Sequence, residues 1–400
     1  METATRENIA KKSNLPVYLF TLYFFTAGVG SVYNTFIPVY FRQIGFSGAM
    51  IGTLMAISPL MILVSQPFWG TYGDRTRSVN RLLRMILGGT AIAIACYPLT
   101  KNFYVLLIML CVFSFFNSAM FTMQDVLVLQ VVEKTPRHYG TARMGSTIGF
   151  AIISIISGYL VNWDIRMIFP LTAGFAVLSL LITFKIPTVA GHQTPANRVS
   201  PLVLFKNREL VILTALCFFL VLTLGYYGSF FSIYFTEMGG DTSLLGIYWF
   251  ISAIVEIPFL LLADRIVRKL GVRATLILAG IIMGLRWLLL FLLQNVFAVM
   301  ATSVLHGFSF IVIIYCMAIF INREMPMELK SSGQSFFALI GGGLPRIIAS
   351  FAGGFVNDTI GIRPVFLICA IINLATVVVI GGLFWRSSHR KKIAEAAAQN

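Results

Sequence analysis

The chain has 400 residues, of which 58% are hydrophobic and only 11% charged, with a formal net charge of +15 and a mean hydropathy of +0.86. About a quarter of the residues of a water-soluble domain are charged, so this composition excludes one and makes lipid the solvent for most of the length. The five cysteines all lie inside apolar stretches, none at metal or redox spacing, and read as small packing residues, with no metal or cofactor expected.

A helix needs roughly 20 apolar residues to cross about 30 Å of hydrocarbon. In chain order the sequence predicts twelve such runs: 16–41, 48–69, 82–99, 103–132, 142–162, 166–185, 209–235, 243–263, 274–293, 296–321, 332–356 and 362–385. The first follows a basic tail, is too long for a signal-peptide core and lacks a small-residue cleavage site. The loops are short. With the N-terminus assigned to one side and the runs alternating, 23 of the 30 cations fall on that side and four on the other. Such a bias makes the cation-rich side, and with it both termini, cytoplasmic. The positive charge is therefore topological, with contact to anionic lipid, and not a nucleic-acid footprint.

The chain repeats itself. "FWGTYGDRTRSVNR" follows run 2 and "FLLLADRIVRKLGVR" ends run 8, placing Asp74-Arg75 and Asp264-Arg265 at matching points of the two halves. A second echo sets Asp164, after run 5, against Asp358, after run 11, at nearly the same offset. The expected architecture is an all-α membrane protein of twelve helices in two pseudo-symmetric six-helix bundles, 1–185 and 209–385, with a cytoplasmic linker at 186–208 and a basic cytoplasmic tail at 386–400.

These features resemble the major facilitator superfamily over the whole chain. Gly70, Asp74 and Arg75 fit the family's loop motif, although Arg77 and Ser78 stand where Gly and Arg are usual; Asp264-Arg265 with Gly271-x-Arg273 is the fuller copy. The resemblance implies that these residues latch helices across the cytoplasmic gate; the plain alternative is solvated loop charge.

A charge at bilayer depth costs at least about 2.5–3.5 kcal/mol, which makes each one a functional candidate. They are Asp125, Arg143, Glu256, Arg286, His306 and Arg346. Asp125 and Arg143 flank one short loop, so runs 4 and 5 form a hairpin and the two side chains are expected to pair, leaving the forked donors of Arg143 for a ligand. "YGTARMGSTIGFA" resembles the start of helix 5 in the lactose-permease branch, where an Arg of this setting pairs with an acid at the same separation to bind sugar. An aromatic follows seven residues later; here it is Phe150, not Trp. Glu256, Arg286 and His306 resemble that branch's coupling residues, and their spacing along the chain comes closer to the phenylpropionate-permease branch. Ser309 and Ser303 replace the branch's Glu and Lys, so the proton carrier differs; Glu256 is the first candidate and Asp125 the second.

Arg346 follows Gly341-Gly342-Gly343-Leu344-Pro345, a run that should break or kink its helix. If runs 1, 4, 7 and 10 surround the cavity, as in the resembled fold, then Tyr33, Asn34, Tyr226 and Tyr227 line it. Gly145-x-x-x-Gly149 reads as close helix packing. The plain alternatives remain beside these readings: Arg143 as the last cytoplasmic cation, Glu256–Arg286 as a structural bridge, His306 as a satisfied core histidine.

The function expected is secondary active transport by alternating access: proton symport of a small solute, either a sugar or glycoside or an aromatic carboxylate. A proton-driven efflux antiporter is the alternative, and a transport-dead sensor a more remote one. An enzyme is not expected, since no nucleophile–base set, metal cluster or nucleotide motif appears. The expected setting is the cytoplasmic (inner) membrane, multi-pass, as a monomer whose partners are lipid, solute and protons.

Overall fold

The computed structural model describes residues 14–133, 139–189, 207–326 and 329–398. Most of the proposed linker, 190–206, lies outside them, as do the side chains of Asp74 and of most of the basic tail. Among the described residues eleven helices are long and apolar enough to cross a membrane. They are α1 (Leu15–Gln43), α2 (Gly48–Arg75), α3 (Val79–Ala95), α4 (Phe103–Glu133), α5 (Tyr139–Trp163), α6 (Ile168–Thr183), α7 (Arg208–Glu237), α8 (Thr242–Leu292), α9 (Val296–Glu324), α10 (Ser332–Ile360) and α11 (Ile362–Ala398).

Eleven helices take up twelve expected runs because α8 absorbs two of them. It is 51 residues long, yet Gly271 inside it has φ 80° and ψ 162°. At 1.5 Å per residue an unbroken helix of that length would reach about 75 Å, more than twice the hydrocarbon thickness. Gly271 holds a left-handed conformation that a side chain would resist, and it separates two arms, 242–270 and 272–292.

The residues form two compact units. Of the described residues, the first comprises 14–133, 139–189, 228–254 and 350–358; the second comprises 207–227, 255–326, 329–349 and 359–398. In the first unit α1 packs on α5 and α6, α2 on α4, and α3 on both α4 and α6. The α1–α5 seam rests on the expected glycine pair: a Cβ on Gly145 or Gly149 would stand 2.3 Å from the carbonyl oxygen of Phe20 or Phe24. Small residues let backbones approach where lipid supplies no hydrophobic drive for helices to associate. The chain leaving α6 is tied back to α3. Asn80, almost fully buried, donates to the carbonyls of Ile186 and Pro187 (3.2 and 3.1 Å) and accepts from the Val189 amide (3.0 Å).

In the second unit α7, the second arm of α8 and α11 share a polar seam. Trp287 Nε1 donates to Thr223 Oγ1 (3.0 Å), and Thr223 donates to Asn373 (3.0 Å). Two membrane helices depart from α geometry. α9 tightens to a 3₁₀ helix over Thr302–Phe308, and α10 widens to a π-helix over Phe337–Gly343, the glycine run before Arg346. Irregular turns of both kinds are frequent at functional sites.

Gly149→Leu would drive a branched side chain into the α1 backbone, which cannot retreat. It should destabilise the protein by about 1–3 kcal/mol, read as a lowered thermal midpoint in detergent, while the same change at Gly140, which has open space around it, should leave the midpoint near wild type.

Candidate functional site

Ionisable groups set among the apolar helices gather within each unit. In the second, α8 and α9 touch backbone to side: a Cβ on Gly307 would lie 2.2 Å from the Val255 carbonyl oxygen. The missing side chain brings Glu256 beside His306, one residue away on each helix. Arg286, on the second arm of α8, is fully buried. Its Nη1 lies 2.9 Å from His306 Nδ1, and its Nη2 donates to the Tyr227 hydroxyl at 2.9 Å. The guanidinium carbon also sits 4.6 Å from the centroid of the Tyr227 ring. A guanidinium only donates, so Nδ1 of His306 must accept; the ring hydrogen is then on Nε2, which stands 3.6 Å from Glu256 Oε1. The chain Tyr227–Arg286–His306–Glu256 runs from a buried cation to a carboxylate that keeps 24% of its side chain exposed. Sequence spacing anticipated the trio of Arg286, His306 and Glu256; it gave Tyr227 to the cavity instead.

In the first unit Asp125 and Arg143 lie near each other, but their pairing differs from expectation. The Asp125 carboxylate accepts the hydroxyls of Tyr23 and Tyr139, the latter at 3.1 Å. Among the described residues no ion pair joins Asp125 to Arg143. The guanidinium stands over aromatic faces, 5.4 Å from the Tyr23 centroid and 5.8 Å from that of Phe121. The reason is register: Tyr139 is one turn before Arg143 on the same helix, and its hydroxyl occupies the acid. The two tyrosines neutralise nothing, yet they solvate the carboxylate, and Arg143 is exposed with its guanidinium over two aromatic faces. Neither tyrosine was singled out from sequence, because a membrane Tyr also reads as an interfacial belt residue.

The other sequence candidates separate. Phe150 lies edge-on to Trp249, 6.4 Å between centroids. Asn34 is exposed, whereas Tyr33 is almost fully buried against Phe113, 4.4 Å between centroids. Tyr226 spends its hydroxyl on the Ile362 carbonyl (3.0 Å). Arg346 packs its Cα against Gly225, where a Cβ would come within 2.9 Å. At the loop motifs Gly70 has open space around it, Arg75 and Arg265 are exposed, and Asp264 accepts the Tyr315 hydroxyl of α9. The partner of that acid is thus a phenol from a neighbouring helix, and Tyr315 carried no sequence signal beyond its place in an apolar run.

Eleven long apolar helices that carry ionisable groups within their length describe a multi-pass membrane protein, and comparison with known proteins agrees. Residues 17–368 match the MFS_1 like family, and the chain belongs to it. It is 25% identical to the maltose permease of Geobacillus stearothermophilus over 93% of this chain and 94% of that one. It is equally 25% identical to a "Probable 3-phenylpropionic acid transporter" of Escherichia coli, over 88% and 93%. A multidrug resistance protein, MdtG of Dickeya zeae, matches at 24% over 94% and 95%. Among solved structures the nucleoside transporter NupG superposes with a TM-score of 0.84 over 93% of this chain and 100% of that one, at 18% identity, a likeness of fold. The protein is a multi-pass membrane transporter of the major facilitator type.

Tyr23→Phe removes a donor from Asp125 and should cost about 1–3 kcal/mol of stability, while Arg143→Ala, at an exposed cation without an ion pair, should cost under about 1 kcal/mol. Thermal midpoints of the two variants check the order; the reverse order would mean that Arg143 is the real partner of Asp125.

Proposed function

We propose that the protein is a proton-coupled symporter that moves a small organic solute by alternating access. The observation that carries this reading is the chain Arg286–His306–Glu256, a buried cation joined through a neutral imidazole to a partly exposed acid. Charges are retained at such depth when they mark ion and proton paths. Glu256 is the proton carrier in this scheme. When it is neutral, the Nε2 side of His306 faces a carboxyl without charge; when it is ionised, the imidazole is polarised from both sides. Arg286 and Tyr227 hold the imidazole in one tautomer, so that loading a proton on Glu256 is felt at α7 as well as at α8 and α9.

Arg143, Phe150 and Asn34 are assigned to the solute, with Arg346, Tyr226 and Tyr227 supporting the α7 and α10 walls. A forked guanidinium on an aromatic face suits a carboxylate or a pair of adjacent hydroxyls, chemistry that agrees with relatives named for maltose and for 3-phenylpropionic acid. The loop acids Asp74 and Asp264, with Gly70, Arg75 and Arg265, are assigned to the cytoplasmic gate. The scheme has twelve spans, the two arms of α8 counting separately, both termini cytoplasmic, and a monomer in the cytoplasmic membrane. The relative named for multidrug resistance supports one competing reading, antiport of a drug.

De-energised cells expressing the protein, pulsed with sugars, nucleosides and aromatic acids under a pH electrode, should show alkalinisation of the medium for one class and none in Arg143→Ala. Acidification of the medium on solute entry, or uptake that no class alters, would turn the reading towards antiport. Glu256→Gln should abolish accumulation against a gradient, by tenfold or more, and still exchange labelled for unlabelled solute across the membrane; loss of both would make Glu256 part of the solute site.

A further inference from the structure

The repeated aspartates, Asp164 and Asp358, take no part in that scheme, and the structure uses them differently. Asp164 turns back on its own chain: its carboxylate accepts from the Arg166 amide at 2.8 Å and caps the turn Ile165–Met167. Asp358, at the end of α10, reaches across to α2. Its Oδ1 accepts from the Gly48 amide at 2.6 Å and its Oδ2 from the Ala49 amide at 2.8 Å. Ser47 takes the Met50 amide at 3.3 Å. Three of the four amides left open at the start of α2 are therefore occupied, two of them by one carboxylate from a distant part of the chain. A full negative charge set over two amides at the positive end of a helix makes charge-assisted bonds, stronger than neutral ones.

The backbones are already in contact below this cap. A Cβ on Gly52 would stand 2.3 Å from the Ser350 carbonyl, and one on Gly354 2.3 Å from the Gly48 carbonyl. The repeat builds the same interlock elsewhere: a Cβ on Gly246 would stand 2.3 Å from the Ser154 carbonyl, and one on Gly158 2.7 Å from the Thr242 carbonyl. There, however, the start of α8 is capped by its own Asp241, through the Leu244 amide at 2.7 Å, and the crossing bonds come from the Thr242 hydroxyl, to the Gly158 carbonyl at 3.1 Å and to Asn162 at 3.3 Å. Both crossings lie at the helix ends away from the cation-rich side. An exposed ion pair, Arg42–Glu237 at 2.8 Å, joins the ends of α1 and α7; exposed pairs of this kind hold little.

We propose that Asp358 is a one-sided charge latch of the outer gate, holding the start of α2 against the end of α10 and biasing the transporter towards its outward-closed state, while its repeat counterpart Asp164 does no such work. The α2–α10 crossing is then the seam whose opening costs a charge its partners, and the α5–α8 crossing opens against packing and neutral bonds alone. The inference rests on the alternating-access reading above.

The test is a distance measurement between nitroxide labels at Gln43→Cys and Phe355→Cys, both exposed, in a background lacking the native cysteines. Gly52→Leu, a wedge in the interlock, defines the open distance. Asp358→Asn should raise the open population roughly three- to tenfold over the parent, Asp358→Glu should restore most of the closed state, and Asp164→Asn should leave the distribution unchanged. If Gly52→Leu opens the seam and Asp358→Asn does not, or if Asp164→Asn opens it equally, the latch is overturned and alternating access stands. If even Gly52→Leu yields a single closed distance with the protein folded, the alternating-access reading fails, and the latch with it. Thermal midpoints of each variant separate opening from unfolding.

Discussion

Hydrocarbon offers no hydrogen bonds, and every polar group placed at its depth must find a partner inside the protein. The helices follow from this for the backbone. For side chains the same rule decides which charges meet: Arg286 reaches His306 and Tyr227, Glu256 reaches His306, and Asp125 takes two phenols. None of these groups is solvated by chance. Arg143 is the instructive exception, a cation near the membrane edge that stays exposed and leans on aromatic faces.

Glycine does the structural work that hydrophobic collapse does in water. With lipid as apolar as leucine, helices gain by close approach, and close approach needs absent side chains. Gly145 and Gly149 bring α5 against α1, Gly307 brings α9 against α8, and Gly48, Gly52 and Gly354 bring α2 against α10. The second of these contacts makes chemistry, because it sets Glu256 beside His306. The third brings two helix backbones together beneath the Asp358 cap. Packing, site and gate therefore draw on one device.

The two echoed segments of the sequence are used unequally. Both halves place an aspartate after the fifth helix of the unit, and both interlock small residues at the same crossing. Asp358 crosses to the Gly48 and Ala49 amides of another helix, whereas Asp164 accepts from the Arg166 amide of its own turn. Likewise the buried imidazole belongs to one half and the phenol-held acid to the other.

Length, apolar runs and the cation bias made a polytopic membrane protein legible from sequence, since those are one-dimensional consequences of bilayer thickness and surface charge. Hydrophobic depth was enough to pick out Asp125, Glu256, Arg286 and His306, because a charge among apolar residues is conspicuous wherever it points. Partner choice was not legible. Asp125 and Arg143 face each other across a short loop and read as a pair, but a tyrosine one turn away on the same helix as Arg143, and another on α1, take the acid. Tyr33, expected at a cavity, is packed under Phe113. Hydroxyl-bearing aromatics look alike in sequence whether they line a cavity, form an interfacial belt or solvate a carboxylate. Sequence thus determined which groups had to be partnered, because the cost of leaving them bare is local. Only the tertiary structure decided by whom, because that depends on which faces helices far apart in the chain turn towards one another.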